Sequence, residues 1–223
     1  MIRAIPASLT SWCLIIVFSL ISPNTRAQSP DNPPRRGHHA LVYDEKSQQV
    51  IMANGSTPVD GGKSFTIFND VWSFDGKKWT NIGTAGNERS SVSFAYDSKE
   101  KKILSMYGFS RDGKPMSELR EFDHNQWITI SANPDLKLAE GGFVYDRQHD
   151  NFVAFGGSRE DRTLNGNTWI WDRKNWKKLS ITSPPERQAF AMVYDTGVTE
   201  QLFSAAWVPH PTRCMEIHGS SME

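Results

Sequence analysis

Residues 142–179 decide the fold, and they read GFVYDRQHDNFVAFGGSREDRTLNGNTWIWDRKNWKKL. Four short apolar runs lie in this stretch: Phe143–Tyr145, Phe152–Phe155, Thr168–Trp171 and Trp176–Leu179. Aromatic and β-branched runs that are separated by Asp and Gly are typical of strands joined by turns. The stretch therefore predicts a four-stranded antiparallel meander, which is marginally stable alone because each of its faces needs a packing partner.

The unit recurs along the chain. Tyr-Asp pairs fall at residues 43–44, 96–97, 145–146 and 194–195, spaced 53, 49 and 49 residues. An aromatic residue followed by Asp comes next in three of the units, at 74–75, 122–123 and 171–172, and a Trp stands five residues after each aromatic, at Trp79, Trp127 and Trp176. A period near 50 residues with four strands per unit predicts the blades of a β-propeller.

These residues resemble the kelch repeat. The resemblance lies in Arg36–Asp44 and Arg187–Asp195, in the doublet Gly156-Gly157, in Asn69–Trp72 and in the spaced Trp residues, and it covers residues 33–204. The sequence departs from the pattern at Asn54-Gly55 and Tyr107-Gly108, where the family has a Gly doublet, and at Leu138, where it has Arg.

The resemblance implies an all-β, incomplete kelch-type propeller of about three blades and a terminal hairpin. We expect blades at 36–82, 89–130 and 139–179, a partial blade at 187–204 and an irregular tail at 205–223. Kelch propellers close with six or seven blades, so we interpret the chain as truncated. Its open blade edges predict self-association.

Residues 1–27 have the layout of a secretory signal, and 28–35 form a Pro-rich linker. The apolar run Trp12–Ile21 is too short to cross a bilayer, so no stable membrane anchor is expected. We predict a secreted or periplasmic protein. With 25 basic and 25 acidic residues, the composition does not favour nucleic acid as a partner.

The sequence indicates no catalytic, cofactor-binding or metal-binding residue. His38 and His39 are adjacent, and on a strand adjacent side chains point to opposite faces; the other histidines lack ligand spacing. The remaining histidines are His124, His149, His210 and His218. The recurring Asp residues favour turn hydrogen bonding. For Arg36, Arg89 and Arg187 the first interpretation is a hydrogen bond to backbone between blades, and the alternative is a basic ring that binds an anion.

Binding is expected on the connections between second and third strands, because loops on a rigid scaffold usually carry it. They are residues 54–69, 109–118 and 158–167, and Phe65 and Phe68 are expected to pack within the first of them. The sequence therefore predicts an exported, non-catalytic kelch-repeat module that binds a protein or glycan partner.

Two alternatives stay open: a non-functional truncated product, or a fragment of a kelch-type carbohydrate enzyme similar to sialate mutarotases or galactose oxidase. The resemblance to the oxidase implies copper, His ligands and a cysteine-crosslinked tyrosine. Cys13 lies in the signal segment, and Cys214 stands alone in the tail without any repeat pattern around it. The mutarotase-like alternative implies a site built by several blades around a closed channel.

Overall fold

The structure is a computed structural model that describes residues 31–123 and 125–195, together with the backbone of 202–206. The predicted signal segment, His124, and the end of the chain with Cys214, His210 and His218 lie outside the described residues. Within them the chain is all-β, with two short 3-10 turns and no α-helix. No described helix is long and apolar enough to span a bilayer.

Three four-stranded antiparallel sheets form the blades, in the strand orders 1-2-5-6, 8-9-11-12 (counted from the inside) and 13-14-15-16. The first contains β1 (Ala40–Asp44), β2 (Gln49–Ala53), β5 (Asp70–Phe74) and β6 (Trp79–Thr84). The second contains β8 (Ser93–Asp97), β9 (Lys102–Met106), β11 (Glu118–Asp123) and β12 (Gln126–Ala132). The third contains β13 (Gly142–Asp146), β14 (Asn151–Phe155), β15 (Thr168–Trp171) and β16 (Trp176–Lys178). The predicted meander is confirmed in all three.

A fourth, two-stranded sheet follows the third blade and consists of β17 (Phe190–Tyr194) and β18 (Leu202–Ala206). It pairs Phe190 with Ala206 and Tyr194 with Leu202. β18 therefore continues two residues past position 204, where the sequence pattern ends the partial blade and begins an irregular tail. The prediction placed the boundary at the missing Gly doublet, but Ala205 and Ala206 still extend the ladder.

Two small sheets lie outside the blades. β3 (Ser56–Val59) and β4 (Ser64–Ile67) form a hairpin around a 3-10 turn at Asp60–Gly62. β7 (Arg89–Ser90) pairs with β10 (Phe109–Ser110). The expected connection at 54–69 thus contains a hairpin that was not predicted. Its residues Thr57, Val59, Phe65 and Ile67 have high strand propensity, but Pro58 and the Gly pair interrupt the pattern in the sequence.

The core lies between blades. One face of the first blade packs Ile51, Ala53 and Val71 against Ile103 and Trp127 of the second. The opposite face of the second blade is aliphatic and packs against an aromatic face of the third. This larger cluster contains Leu104, Met106, Leu119, Phe143, Phe152 and Trp171. An aliphatic face thus meets an aromatic face at both junctions, and burial of this kind stabilises by about 25 cal/mol per Å².

Successive blades are also joined through their main chains. His38, Ser91, Glu140 and Ala189 precede the four inner strands, and all four have a positive φ, at 55°, 58°, 61° and 52°. The Ser91 amide donates to the His38 carbonyl at 2.8 Å, Glu140 to Ser91 at 3.3 Å, and Ala189 to Glu140 at 2.9 Å. We call this series of contacts the inter-blade backbone chain.

Candidate binding face

The strand order brings the three predicted loops to one edge of the propeller. In every blade the second and third strands are antiparallel neighbours, so the connection between them leaves at the same end as the segment that starts the next blade. We define the loop face as residues 54–69, 109–118 and 158–167. The short turns after the first and third strands lie at the opposite edge.

The first loop is anchored at its base and exposed at its tip. The guanidinium of Arg36 lies 3.9 Å from the centre of the Phe68 ring, and the Phe68 amide donates to the Gly55 carbonyl at 2.9 Å. Phe68 therefore packs, but against Arg36, which lies outside the loop. Phe65 does not: it is 58% exposed on β4, because the hairpin carries it away from the blade. The expected self-packing of Phe65 is wrong.

The second and third loops are braced against the starts of blades. Met116 forms a β-bridge with Leu138, and Ser158 forms one with Ala139. The Gly55 amide of the first loop donates to the Arg89 carbonyl at 3.0 Å. The first two loops are thus tied to the segment that leads into the following blade. The third is tied to the start of its own blade through Ser158, and the Gly157 amide at its base donates to the Arg187 carbonyl, before the fourth unit, at 2.8 Å.

Exposed side chains project from these braced loops. Arg111 is 81% exposed and lies 3.3 Å from Glu88. Arg162 lies 5.5 Å from the ring centre of Phe109, which links the second loop to the third. In each of the three loops the numbers of acidic and basic residues are equal. The loop face therefore presents acidic and basic side chains that can form hydrogen bonds, and its formal net charge is zero.

Two of the recurring arginines, Arg36 and Arg89, form carboxylate pairs inside their own blades, where backbone contacts between blades were expected. Arg36 binds Asp70 with both terminal nitrogens, and Nη2 lies 2.7 Å from Oδ2. Arg89 donates from Nη2 to Oε2 of Glu118 at 2.6 Å. Arg187 donates to the Pro185 carbonyl at 3.0 Å. The bidentate contact already uses the guanidinium of Arg36, so the alternative of an anion-binding arginine ring has no support there.

Burial and pairing shift the titration of these groups. Burial would raise the pKa of Asp70, but hydrogen bonds from Arg36 and Trp72 outweigh it, and the pKa lies below its usual value. Burial lowers the pKa of Arg89, which Glu118 partly offsets. Burial together with the charge of Arg89 lowers the pKa of Arg120 to about 10. Both guanidinium groups stay charged at neutral pH.

The adjacent histidines serve the structure. His38 has a positive φ, so the alternation of strand side chains that the sequence analysis assumed does not apply to it. Its Nδ1 lies 3.4 Å from the Ser56 hydroxyl. His39 is partly buried, and burial and then the charge of Arg36 lower its pKa. His149 is bound to Asp146 of its own turn at 2.7 Å. No group of three potential metal ligands is found among the described residues.

The recurring aspartates bind turn amides, as predicted. The carboxylates of Asp44, Asp75, Asp97, Asp146 and Asp172 each accept from a backbone amide two residues later, at 2.8–3.0 Å. These Asx turns reverse the chain at the edge opposite to the loop face.

The recurring Trp residues share one position of the repeat, from which equal burial between blades is expected, but their burial differs. Trp127 is 8% exposed and packs between Phe94 and Phe122, with ring centres 5.1 and 5.2 Å away. Trp176 is partly buried against the larger cluster. Trp79 contacts the Phe74 ring at 5.0 Å and is also only partly buried. Trp79 lies on the face of the first blade that points away from the second.

An ionic network between the second and third blades escaped the sequence analysis. Arg173 donates from Nη1 to Oδ2 of the fully buried Asp97 at 2.6 Å and from Nη2 to Oδ1 of Asp150 at 2.7 Å. Lys99 and Tyr145 also bind Asp150. Nothing in the repeat marks Arg173, since the other units have His or Gly at that position.

Two cavities lie along the blade junctions. The larger, about 450 Å³, is lined by the inner strands of the second, third and fourth units and includes Phe94, Tyr96, Tyr145 and Arg147. Arg147 reaches across its edge to Glu45 at 2.5 Å. The smaller, about 280 Å³, lies between the second and third blades and includes Leu104, Trp171 and Arg173. Neither is lined by the exposed loop residues.

Comparison with solved structures supports the fold. The chain is similar to the structure of YjhT, a kelch-type β-propeller protein, with a TM-score of 0.57 and 15% sequence identity over 68% of this chain. The match spans 54% of that protein, so this chain corresponds to about half of its length. No family model matches the chain. At this identity the likeness shows a kelch-like β-propeller fold.

Proposed function

We propose that the chain is an exported, non-catalytic binding module that holds a protein or glycan partner on its loop face. The observation that carries this proposal is the bracing of exposed loops by a rigid scaffold. Gly55, Met116 and Gly157 tie the loop bases to the segment before the next blade, while Phe65, Arg111 and Arg162 project into solvent. Loops held in this way lose little conformational entropy on binding.

The charge of the loop face supports a partner that is recognised by hydrogen bonds and apolar contact. Acidic and basic side chains are interspersed within single loops, as in Arg159–Arg162, and their charges balance. A polyanion needs an excess of positive charge, which these loops do not have. An exposed Phe65 beside polar groups resembles the composition of recognition surfaces, where aromatic residues and arginines are enriched.

Two variants, compared with the unaltered chain, test the proposal against a glycan array and a peptide library. The loop variant carries Phe65→Ser, Arg111→Ser and Arg162→Ser. The matched control alters exposed residues at other edges, with Ile128→Ser, Lys77→Ser and Lys174→Ser. We expect the loop variant to bind the best ligand at least tenfold more weakly and the control to bind within threefold of the unaltered chain. Equal loss in both variants, or loss only in the control, contradicts the proposal.

The enzymatic alternative makes a different prediction. A fragment of a carbohydrate enzyme turns over its sugar, so purified chain would speed the interconversion of sialate anomers in an NMR time course, or would oxidise galactose after copper loading. We expect neither rate to exceed that of buffer. Turnover that survives the loop variant would replace the binding proposal with an enzymatic one.

A further inference from the structure

The β3–β4 hairpin has one free edge. The amide of Gly37 donates to the Ser56 carbonyl at 2.8 Å, and the Ser56 amide donates back at 2.9 Å, so both backbone groups of Ser56 point away from β4. Backbone groups alternate in direction along a strand, so those of Thr57 point toward Thr66, its partner in the register. By the same alternation the amides and carbonyls of Phe65 and Ile67 point outward, away from β3.

No described strand or isolated bridge pairs with this outer edge of β4. Ser64, Phe65 and Thr66 are exposed. The whole strand Ser64–Ile67 is uncharged and rich in residues with high strand propensity. Natural proteins protect free edges with Pro, Lys or short bulges, and an uncharged free edge without them is open to pairing.

The other edge of the same hairpin is protected. Pro58 lies at a position whose backbone points away from β4, where it removes a donor without weakening the hairpin, and Gly37 occupies the place beside Ser56. The hairpin thus blocks one edge and leaves the other open. This asymmetry directs any added strand to β4.

We propose that the free edge of β4 docks an extended segment of a partner protein, which adds to the hairpin as a third strand. This inference rests on the proposed function and names the partner class for the loop face. The outward amides and carbonyls of Phe65 and Ile67 match the spacing of another polypeptide backbone, and a glycan has no such repeating donor and acceptor pair.

Side chains on the hairpin define the segment that fits. Phe65 and Ile67 lie on one face of β4, because side chains two residues apart share a face, and Thr66 lies on the other. A segment that alternates apolar and small polar residues places its apolar side chains beside Phe65, where cross-strand aromatic and β-branched pairs contribute about 0.2–1 kcal/mol each.

A free segment fits this edge better than a second copy of the chain. A strand of four residues is only about 13 Å long. Antiparallel pairing of two β4 strands therefore brings the first blade of each copy within that distance of the other's hairpin tip. An extended segment has no blade attached to it that would crowd the hairpin.

The test uses a phage-displayed library of eight-residue peptides that alternate Val, Ile, Phe or Tyr with Thr, Ser or Lys. The best binder is synthesised with a fluorophore, and a second version carries N-methyl groups on all central amides. Fluorescence anisotropy with the full chain should show at least tenfold weaker binding of the methylated peptide, because its side chains remain but its donors are gone. This comparison does not depend on the folding of any variant.

Two substitutions on the protein complete the test. Ile67→Pro removes an outward amide and leaves the inward bonds of β4, and we expect at least tenfold weaker peptide binding. Ile67→Thr keeps the amide and the strand propensity, and we expect a change below threefold. Failure of the library to yield a peptide that distinguishes these variants overturns strand addition.

Other outcomes are also decisive. A loop-face ligand that binds the Ile67→Pro variant normally but fails with the Arg111→Ser and Arg162→Ser variant leaves the proposed function standing and overturns strand addition. Concentration-dependent self-association that Ile67→Pro abolishes identifies the occupant as a second copy and overturns the partner assigned here. A glycan that is lost with Ile67→Pro and with Ile67→Thr alike overturns it too.

Discussion

The junction of the second and third blades and the junction of the third and fourth blades use the same two positions of the repeat. At the first junction the large residue belongs to the earlier blade, and at the second junction it belongs to the later one. Tyr107 and Gly156 both follow the second strand of a blade, with φ of 66° and 68°. Gly141 and Phe190 both stand near the start of the next inner strand. A Cβ at Gly141 would lie 2.5 Å from the Tyr107 ring, and one at Gly156 would lie 2.9 Å from the Phe190 ring.

Each junction therefore contains one aromatic ring and one glycine, and the two have exchanged places. The exchange explains why Tyr107 interrupts the expected Gly doublet: the room that its ring occupies is released by Gly141 on the neighbouring blade. Close packing is conserved across repeats although neither residue is. It follows that these blades are not interchangeable, because a blade that ends its second strand with Tyr needs a glycine in the blade that follows.

A double-mutant cycle tests the exchange and has the largest expected effect. Gly141→Phe forces two rings into one space, and we expect a loss of about 4 kcal/mol or failure to fold. Tyr107→Gly alone should cost about 2 kcal/mol, since the lost burial is offset in part by the freedom of Gly at positive φ. The double variant should be more stable than Gly141→Phe alone.

The free energy of unfolding from urea titration measures the cycle. A favourable coupling of about 1–3 kcal/mol between the two sites supports the exchange. Additive losses would show that the positions are independent. Gly37→Phe is the control, because no atom lies within 4 Å of its Cβ position and it has no positive φ; its cost should stay below about 1 kcal/mol.

The difference between covered and uncovered blade faces gives the next largest effect. Trp127→Ala removes a ring that two others enclose, and should cost about 3 kcal/mol. Trp79→Ala removes a ring on the face turned away from the second blade and should cost about 1 kcal/mol. Urea titration of both variants measures the contrast. Equal losses would mean that Trp79 is covered as fully as Trp127.

The ionic network allows a buried ion pair at the junction of the second and third blades to be compared with an exposed ion pair on the loop face. Arg173→Gln leaves the buried Asp97 without its guanidinium partner, and we expect a loss of about 2 kcal/mol. Arg111→Gln, which breaks an exposed pair on the loop face, should cost less than about 0.5 kcal/mol. Thermal and urea unfolding should rank the two variants in this order, and the reverse order would remove the network from the junction.

The smallest effect concerns acid. Hydrogen bonds from Lys99 and then Arg173 hold the pKa of Asp150 well below its usual range. A carboxyl with a lowered folded pKa contributes stability that is present above its unfolded pKa near 4 and is lost as the pH falls below that value. Asp150→Asn should therefore lower stability between pH 6 and 8, where the carboxylate contributes, and flatten the decline of stability below pH 4. If urea titrations show the same decline of stability below pH 4 in the variant and in the unaltered chain, the prediction is wrong.

The strands and turns were predictable because their signals are local. Tyr-Asp pairs and spaced Trp residues mark the repeat, and Asp44 or Asp146 binds amides two residues away. The junctions were not predictable from such patterns. Arg173 meets Asp97 76 residues earlier in the chain, and Tyr107 meets Gly141 on the next blade. Both contacts depend on how blades stack.

The position of the loop face could be predicted from the sequence, but the conformation of its first loop could not. The order of strands sends 54–69, 109–118 and 158–167 to one edge, and a repeat of meanders is enough to foresee that. The exposure of Phe65 depends on the hairpin within the first loop, whose strands are interrupted in sequence by Pro58 and Gly61-Gly62. Phe68, only three residues later, is held by Arg36 instead.

The inter-blade backbone chain has a consequence for evolution. His38, Ser91, Glu140 and Ala189 dock one blade on the next with amide and carbonyl groups that every one of them possesses. A substitution there changes the side chain and leaves the docking bond intact, provided that the residue tolerates a positive φ. The four positions share a backbone geometry but have four different residue types. The contact is therefore present at every junction although no sequence motif marks it. Substitutions can therefore accumulate at these four positions while the backbone contact between the blades is retained.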